Sequence, residues 1–293
     1  MLKIASIGLH FGEEPSISGT KGSGAIFFSN CNLCCSYCQN YQISQEGLGQ
    51  FLSEEKLADE MLKLQELGCH NINLVSPTRL VRKDIILAKE KGLRIPIVYN
   101  TNGYDSIETL KSLEGYIDIY LPDIKYSDNT IALKYSGIGN YVERSRAAIA
   151  EMFRQVGNLI LDGNDIAQRG LIVRHLVLPS DLAGSYESLK FLALLSKEIW
   201  ISAMSQYYPC YKAIGDPIIG RKITKEEYLK VLDWIEELGF VNVLAQEADS
   251  AENYLPDFTR EKPFSSPHPD ISNSLPLSIC PLPKGEGLDG TDK

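Results

Sequence analysis

Ala25-Ile26-Phe27-Phe28-Ser29-Asn30-Cys31-Asn32-Leu33-Cys34-Cys35-Ser36-Tyr37-Cys38-Gln39-Asn40 joins an apolar run to a cysteine loop without a break. Four of the seven cysteines of this 293-residue chain lie in that loop, and Cys31, Cys35 and Cys38 have the spacing C-x3-C-x2-C. An odd count with such bunching points to a metal in a reducing compartment, with the cytoplasm as the expected location, rather than to a disulfide framework. Three thiolates on one tight loop reach three corners of a cubane iron–sulfur cluster and leave its fourth iron open. The same residues allow other readings. Cys31-x2-Cys34 with Cys35-x2-Cys38 would make a four-thiolate zinc site, although the adjacent Cys34 and Cys35 point in divergent directions. A redox C-x-x-C leaves half of the bunched cysteines unexplained. Cys69, just before a strand, reads as core, and Cys210, after a strand end, is ambiguous.

Outward from this loop the chain alternates strands and helices. Ala25–Ser29 is the first strand. Ser53 is an N-cap for a helix with Leu57, Met61, Leu64 and Leu67 at helical spacing, stopped by Gly68. Strands are expected at 71–75, 95–99, 116–121, 171–178, 200–204 and 241–244. Between them helices are expected at 79–92, 106–113, 128–157, 185–197 and 224–238. Near-continuous apolar strands alternating with helices predict a parallel sheet. The fold class is therefore α/β with parallel strands, either doubly wound or curled into a partial (βα)6 TIM-type barrel, and the partial barrel is what the resemblance given below implies. Residues 1–24, rich in glycine and without clear periodicity, read as a loop-like N-terminal arm with at most a short strand near 4–7. Residues 25–264 form the barrel. Residues 265–293, rich in Pro and Ser, read as a disordered tail carrying the bystander Cys280.

The bulk numbers exclude several classes. Net charge is −9 with no Lys/Arg-rich run, which argues against nucleic acid and against an anionic membrane as partner. No stretch approaches ~18 apolar residues, so no transmembrane helix is expected, and the start Met1-Leu2-Lys3-Ile4 gives no signal peptide.

The cysteine loop, with Tyr37 just before its last cysteine, resembles the signature of radical S-adenosylmethionine (radical SAM) enzymes. Gly24–Leu33 and Tyr37–Tyr41 are similar to pyruvate formate-lyase activating enzymes. So are Gly12-Glu13-Glu14-Pro15, Tyr99–Tyr104, Asp118–Lys125, Val173–Pro179 and Gln206–Pro209, which resemble a group of activating-enzyme homologues. Ahead of Met1 that group often has a further cysteine-containing segment, so the start here is either a short form or a truncation.

The resemblance implies a [4Fe-4S] cluster on Cys31, Cys35 and Cys38 whose open iron binds S-adenosylmethionine. Reductive cleavage then yields methionine and a 5′-deoxyadenosyl radical, which takes a hydrogen from a substrate. The implied partners are a reductant such as flavodoxin or ferredoxin and a protein substrate carrying the reacting glycine. The rivals are a small-molecule substrate and a non-catalytic iron–sulfur electron-transfer protein. By position, Tyr37 is expected near the adenine. Ser76-Pro77-Thr78 stands where the superfamily often has Gly-Gly-Glu-Pro, so the hydroxyls of Ser76 and Thr78 substitute there. Asn100, Asn102, Asp123 and Lys125 end two strands at the same mouth. Arg174 and His175 point to opposite faces of their strand, and His175 is taken as the inward cofactor contact.

Overall fold

The computed structural model describes residues 1–77, 81–247, 255–260 and 262–264. Strand β1 (Leu2–His10), helix α1 (Pro15–Ser18) and β2 (Ser23–Phe28) precede the cysteine loop. Helix α2 (Tyr41–Ser44), β3 (Gln50–Leu52), α3 (Glu54–Glu66), β4 (Ile72–Val75), α4 (Arg82–Glu90), β5 (Ile97–Thr101), α5 (Ile107–Ser112) and β6 (Ile119–Pro122) follow. Then come α6 (Asn129–Ser136), α7 (Tyr141–Val156), β7 (Ile160–Leu161), β8 (Ala167–Leu176), α8 (Ser185–Leu195), β9 (Trp200–Met204), α9 (Lys225–Glu237) and β10 (Val243–Ala245).

The sheet order is β10-β9-β8-β6-β5-β4-β2-β1-β3. From β2 to β10 every neighbouring pair on this path is parallel. Six βα units and a closing strand thus form the incomplete barrel. Local chemistry explains the helix starts. Ser53, Ser106 and Thr224 each accept a backbone N–H three residues on, and Thr224 with Glu227 completes a capping box.

The N-terminal arm departs from its loop-like reading. Residues 2–10 are one strand, paired antiparallel with β2 on one side and with β3 on the other. Of its nine residues only Ile4 is buried, so no hydrophobic alternation marks the strand in the sequence. Its partners supply the order instead.

Two cores lie on the two faces of the parallel strands. Ile26, Leu74, Tyr99 and Val173 point outward to Leu57, Met61, Ile149 and Val231 of the surrounding helices. Each such buried aliphatic side chain contributes about 1.5–3 kcal/mol. Inside the barrel, Ile17 of α1 plugs one end against Val98, Ile119, Leu121 and Ile172. Above that apolar plug the lining turns polar, with Asn100, Asp123 and Arg174. Among the described residues no helix is long and apolar enough to cross a membrane. The expected tail 265–293, with Cys280, lies outside the described residues.

Candidate active site

The cysteine loop is held from both sides. Asn30 takes a left-handed backbone (φ 67°) at the end of β2. Its N–H and that of Cys31 donate to the carbonyls of Ile43 and Ser44 in α2, at 3.0 and 3.3 Å. The N–H groups of Cys34 and Ser36 donate to Ser136 and Tyr135 at the end of α6, at 3.0 and 2.8 Å. Leu33 is buried between these anchors. Residues 31–38 are therefore fixed at the strand ends.

That placement separates the cysteines. Cys31, Cys35 and Cys38 line one cavity of about 200 Å³, while Cys34 is exposed and outside its lining. Each of the three inward sulfurs has a polar neighbour. Asn102 Nδ2 donates to Cys31 Sγ at 3.2 Å, Ser136 Oγ donates to Cys35 Sγ at 3.0 Å, and Ser44 Oγ lies 3.2 Å from Cys38 Sγ. Burial pushes the Cys35 thiol up to about 12 and the Cys38 thiol to about 11, and it raises Cys31 too. A thiolate in this place needs a cation beside it, and hydrogen bonds to sulfur suit a metal-bound thiolate. Three separated inward sulfurs with the fourth turned out fit a three-thiolate cubane. Cys34, exposed and outside the lining, is not brought together with the other three, so the four-cysteine zinc arrangement has no counterpart in this geometry.

Opposite the sulfurs stands a charged wall. Asp123 and Lys125 follow β6 two residues apart and share a face, while Ile124 between them is buried in the outer core. Lys125 Nζ contacts Asp123 Oδ2 at 2.6 Å, and Arg174 Nε contacts Asp123 Oδ1 at 2.8 Å. Arg174 also donates to Asn100 Oδ1 at 2.6 Å and lies 3.4 Å from Glu13 Oε2. Burial works to raise the Asp123 carboxyl, but Arg174 and Lys125 outweigh it and hold Asp123 below the ordinary range. Lys125 and Arg174 remain cationic: burial opposes their charge and Asp123 more than restores it. Glu13 goes the other way. Burial raises its carboxyl despite Arg174 and the hydrogen bond from Asn73.

The expected site residues divide clearly. Ser76, Asn100, Asn102, Asp123 and Lys125 line the cavity with the three cysteines. Ser76 has φ 55°, so this serine takes the left-handed backbone that glycine adopts most easily. Gly103 (φ 79°) makes the turn after Asn102, where a Cβ would strike the Asp123 carbonyl. Thr78 lies outside the described residues. Tyr37 is turned away from the cavity: its hydroxyl is 2.6 Å from that of Tyr126, and its ring packs edge-on against Tyr207.

His175 is a correction. Its Nδ1 lies 2.9 Å from the Ile124 carbonyl and its Nε2 2.8 Å from Ser185 Oγ, fully buried between β8 and α8. Arg174, its neighbour, is the inward residue. Both faces of β8 are apolar around the pair, so alternation shows that they oppose and not which is inside. Glu13 was missed as a site residue. It comes from the segment after β1, and only the pairing of β1 with β2 carries it to Asn73, Asn100 and Arg174.

Comparison with known proteins agrees with this geometry. Residues 25–162 match the model of the Radical SAM superfamily. An uncharacterized protein of Methanocaldococcus jannaschii is 29% identical over 240 residues, covering 78% of this chain and 65% of that protein. The chain thus spans less than two thirds of that relative's length. The pyruvate formate-lyase-activating enzyme of Clostridium pasteurianum is 25% identical over 184 residues, 59% of this chain and 69% of that enzyme. Among solved structures, methylornithine synthase superposes with TM-score 0.52 at 16% identity, over 76% of this chain and 63% of that one. The [FeFe]-hydrogenase maturase HydG does so with TM-score 0.50 at 14% identity, over 74% and 48%. At such identities these two likenesses show the fold alone, an α/β partial barrel with a mostly parallel sheet. A [4Fe-4S] cluster and S-adenosylmethionine are the cofactors of the Radical SAM superfamily and of this chain. The strands, the inward cysteines and the match of residues 25–162 to the Radical SAM superfamily model agree with one another.

Proposed function

We propose that this protein uses a cluster on Cys31, Cys35 and Cys38 to cleave S-adenosylmethionine and take a hydrogen atom from a substrate, in the manner of an activase acting on a glycyl residue of a partner enzyme. The observation that carries this reading is the single cavity in which three inward cysteines face the charged wall of Asp123, Lys125 and Arg174. When bound, the reduced cluster and S-adenosylmethionine supply a 5′-deoxyadenosyl radical. The chain's own residues do the rest. Asn102 orients the Cys31 sulfur. Ser76 and Asn100 offer polar atoms between the sulfurs and the wall. Lys125 and Arg174 offer cations to a carboxylate, and Glu13 and Asp123 offer acceptors to an ammonium or to ribose hydroxyls. A reductant such as flavodoxin or ferredoxin delivers the electron.

The activase reading is supported by the similarity to the Clostridium pasteurianum enzyme. A second reading, a small-molecule substrate, is favoured by the aromatic residues that close the cavity's other side, with Phe264 in its lining. The test is anaerobic reconstitution and reduction, followed by an assay for 5′-deoxyadenosine from S-adenosylmethionine. Product supports the enzyme reading; none, with an unchanged cluster magnetic-resonance signal, sinks it. Deuterium passing from a labelled glycyl peptide into deoxyadenosine supports the activase reading, and its absence leaves the small molecule.

A further inference from the structure

The barrel is incomplete: among the described residues β10 and the β1–β3 pair are the two ends of the sheet order, with no pairing between them. Beyond β10, residues 255–260 and 262–264 pack back on the far end. Phe258 is buried against Phe27 of β2 (ring centroids 5.5 Å). Phe264 lies against both Phe27 (5.1 Å) and His10 at the end of β1 (4.3 Å). Gln42 of α2 clips this segment twice: its Oε1 accepts the Phe258 N–H at 2.8 Å, and its Nε2 donates to Asp257 Oδ1 at 3.3 Å. The Asp257 N–H donates to the Pro263 carbonyl at 2.9 Å, which folds the segment on itself. His10, Phe27 and Phe264 all line the same cavity as the three inward cysteines.

We propose that this C-terminal segment is a strap across the open side of the barrel, and that Phe264 sets the size of what reaches the cysteines. The inference rests on the reading of this cavity as the reaction site. Its physical content is simple. Contacts among four aromatic rings and two hydrogen bonds from Gln42 hold a short stretch without regular secondary structure where the sheet supplies no strand. Aromatic contacts hold well together and need no backbone pairing. The charged wall is built on strand ends and is rigid. The aromatic wall is borrowed from a distant part of the chain and opens more easily. With the strap in place, a narrow group passes, a small molecule or an extended glycyl loop, and a bulkier one does not.

The test uses the full chain without its cluster, so it reads the strap independently of activity. Thiols are labelled with iodoacetamide and with a bulky polyethylene-glycol maleimide, and each cysteine is followed by mass spectrometry. Exposed Cys34 is the accessible reference. Buried Cys69, which contacts the Leu64 and Asn71 carbonyls, reports the integrity of the core. In the wild type, Cys31 and Cys38 take the small reagent and exclude the large one relative to Cys34. Phe264→Ala is expected to raise large-reagent labelling of Cys31 and Cys38 about tenfold, the factor that goes with one lost aromatic contact, with Cys34 and Cys69 unchanged. Gln42→Ala, which removes the clip and leaves every ring, is expected to act in the same direction and serves alone if Phe264→Ala exposes Cys69. An unchanged ratio of large to small reagent in Gln42→Ala, or in a Phe264→Ala that keeps Cys69 protected, overturns the strap. Failure of the deoxyadenosine assay with an intact strap response overturns the reaction instead.

Discussion

The cavity has two walls built in opposite ways. One is made of strand ends: Asn100, Asp123, Lys125 and Arg174 sit on or just after β5, β6 and β8, and their charges are paired within the wall. The other is made of rings from three distant segments, His10, Phe27 and Phe264, with Phe258 packed against Phe27 outside the lining. The first is positioned by sheet register, so it stays when one contact is lost but suffers when a charge is left alone. The second is positioned by side-chain packing only, so it yields locally while the barrel stands.

The largest expected difference follows from charge. Arg174→Ala leaves Glu13 and Asp123 buried with one cation fewer, at a cost of about 3–5 kcal/mol in global stability by denaturant unfolding. A loss below about 1 kcal/mol would mean that the wall is wetter than its burial indicates. Phe258→Ala comes next, with about 2 kcal/mol of lost burial. That loss should appear as faster proteolysis near residues 255–264, with the global unfolding midpoint hardly moved. A full midpoint shift with no new cleavage would show that the aromatic wall is part of the cooperative core.

The smallest expected effects have opposite pH signs on the two walls. Glu14, buried beside Glu13 and under the charge of the wall's Arg174, has its carboxyl raised chiefly by burial. It costs stability increasingly as pH rises above the ordinary carboxylate range. Glu14→Gln should therefore gain over wild type toward pH 8 and lose that gain toward pH 4. His10 is lowered by burial from 6.5 to about 4, so folding resists its protonation and the aromatic wall weakens as pH falls from 6.5 toward 4. His10→Phe should flatten that acid loss in thermal melts at pH 5 and pH 7. The same pH response in both variants would erase the contrast between the walls.

This contrast also marks what was legible in the sequence. The charged wall was largely readable, because strand ends carry polar residues at a period of two and the cysteine spacing places the loop after the first strand. Alternation could not choose between Arg174 and His175, since Leu171, Ile172 and Val173 give both faces an apolar approach. Tyr37 read as a cavity residue from its neighbours and is a core residue by its direction. The aromatic wall was not readable at all. Phe258 meets Phe27 across more than two hundred positions, and no local pattern reports such a meeting. Glu13 was hidden for the same reason, carried in by a strand whose own burial pattern is nearly silent.

The most direct measurement is the iron and acid-labile sulfide content of anaerobically reconstituted wild type, Cys34→Ala and Cys35→Ala. The inward and outward cysteines predict about four irons per chain in wild type and in Cys34→Ala, and loss of the cluster in Cys35→Ala. A Cys34→Ala variant that loses its metal, or a wild type that takes up one zinc in place of iron, would contradict the three-thiolate site.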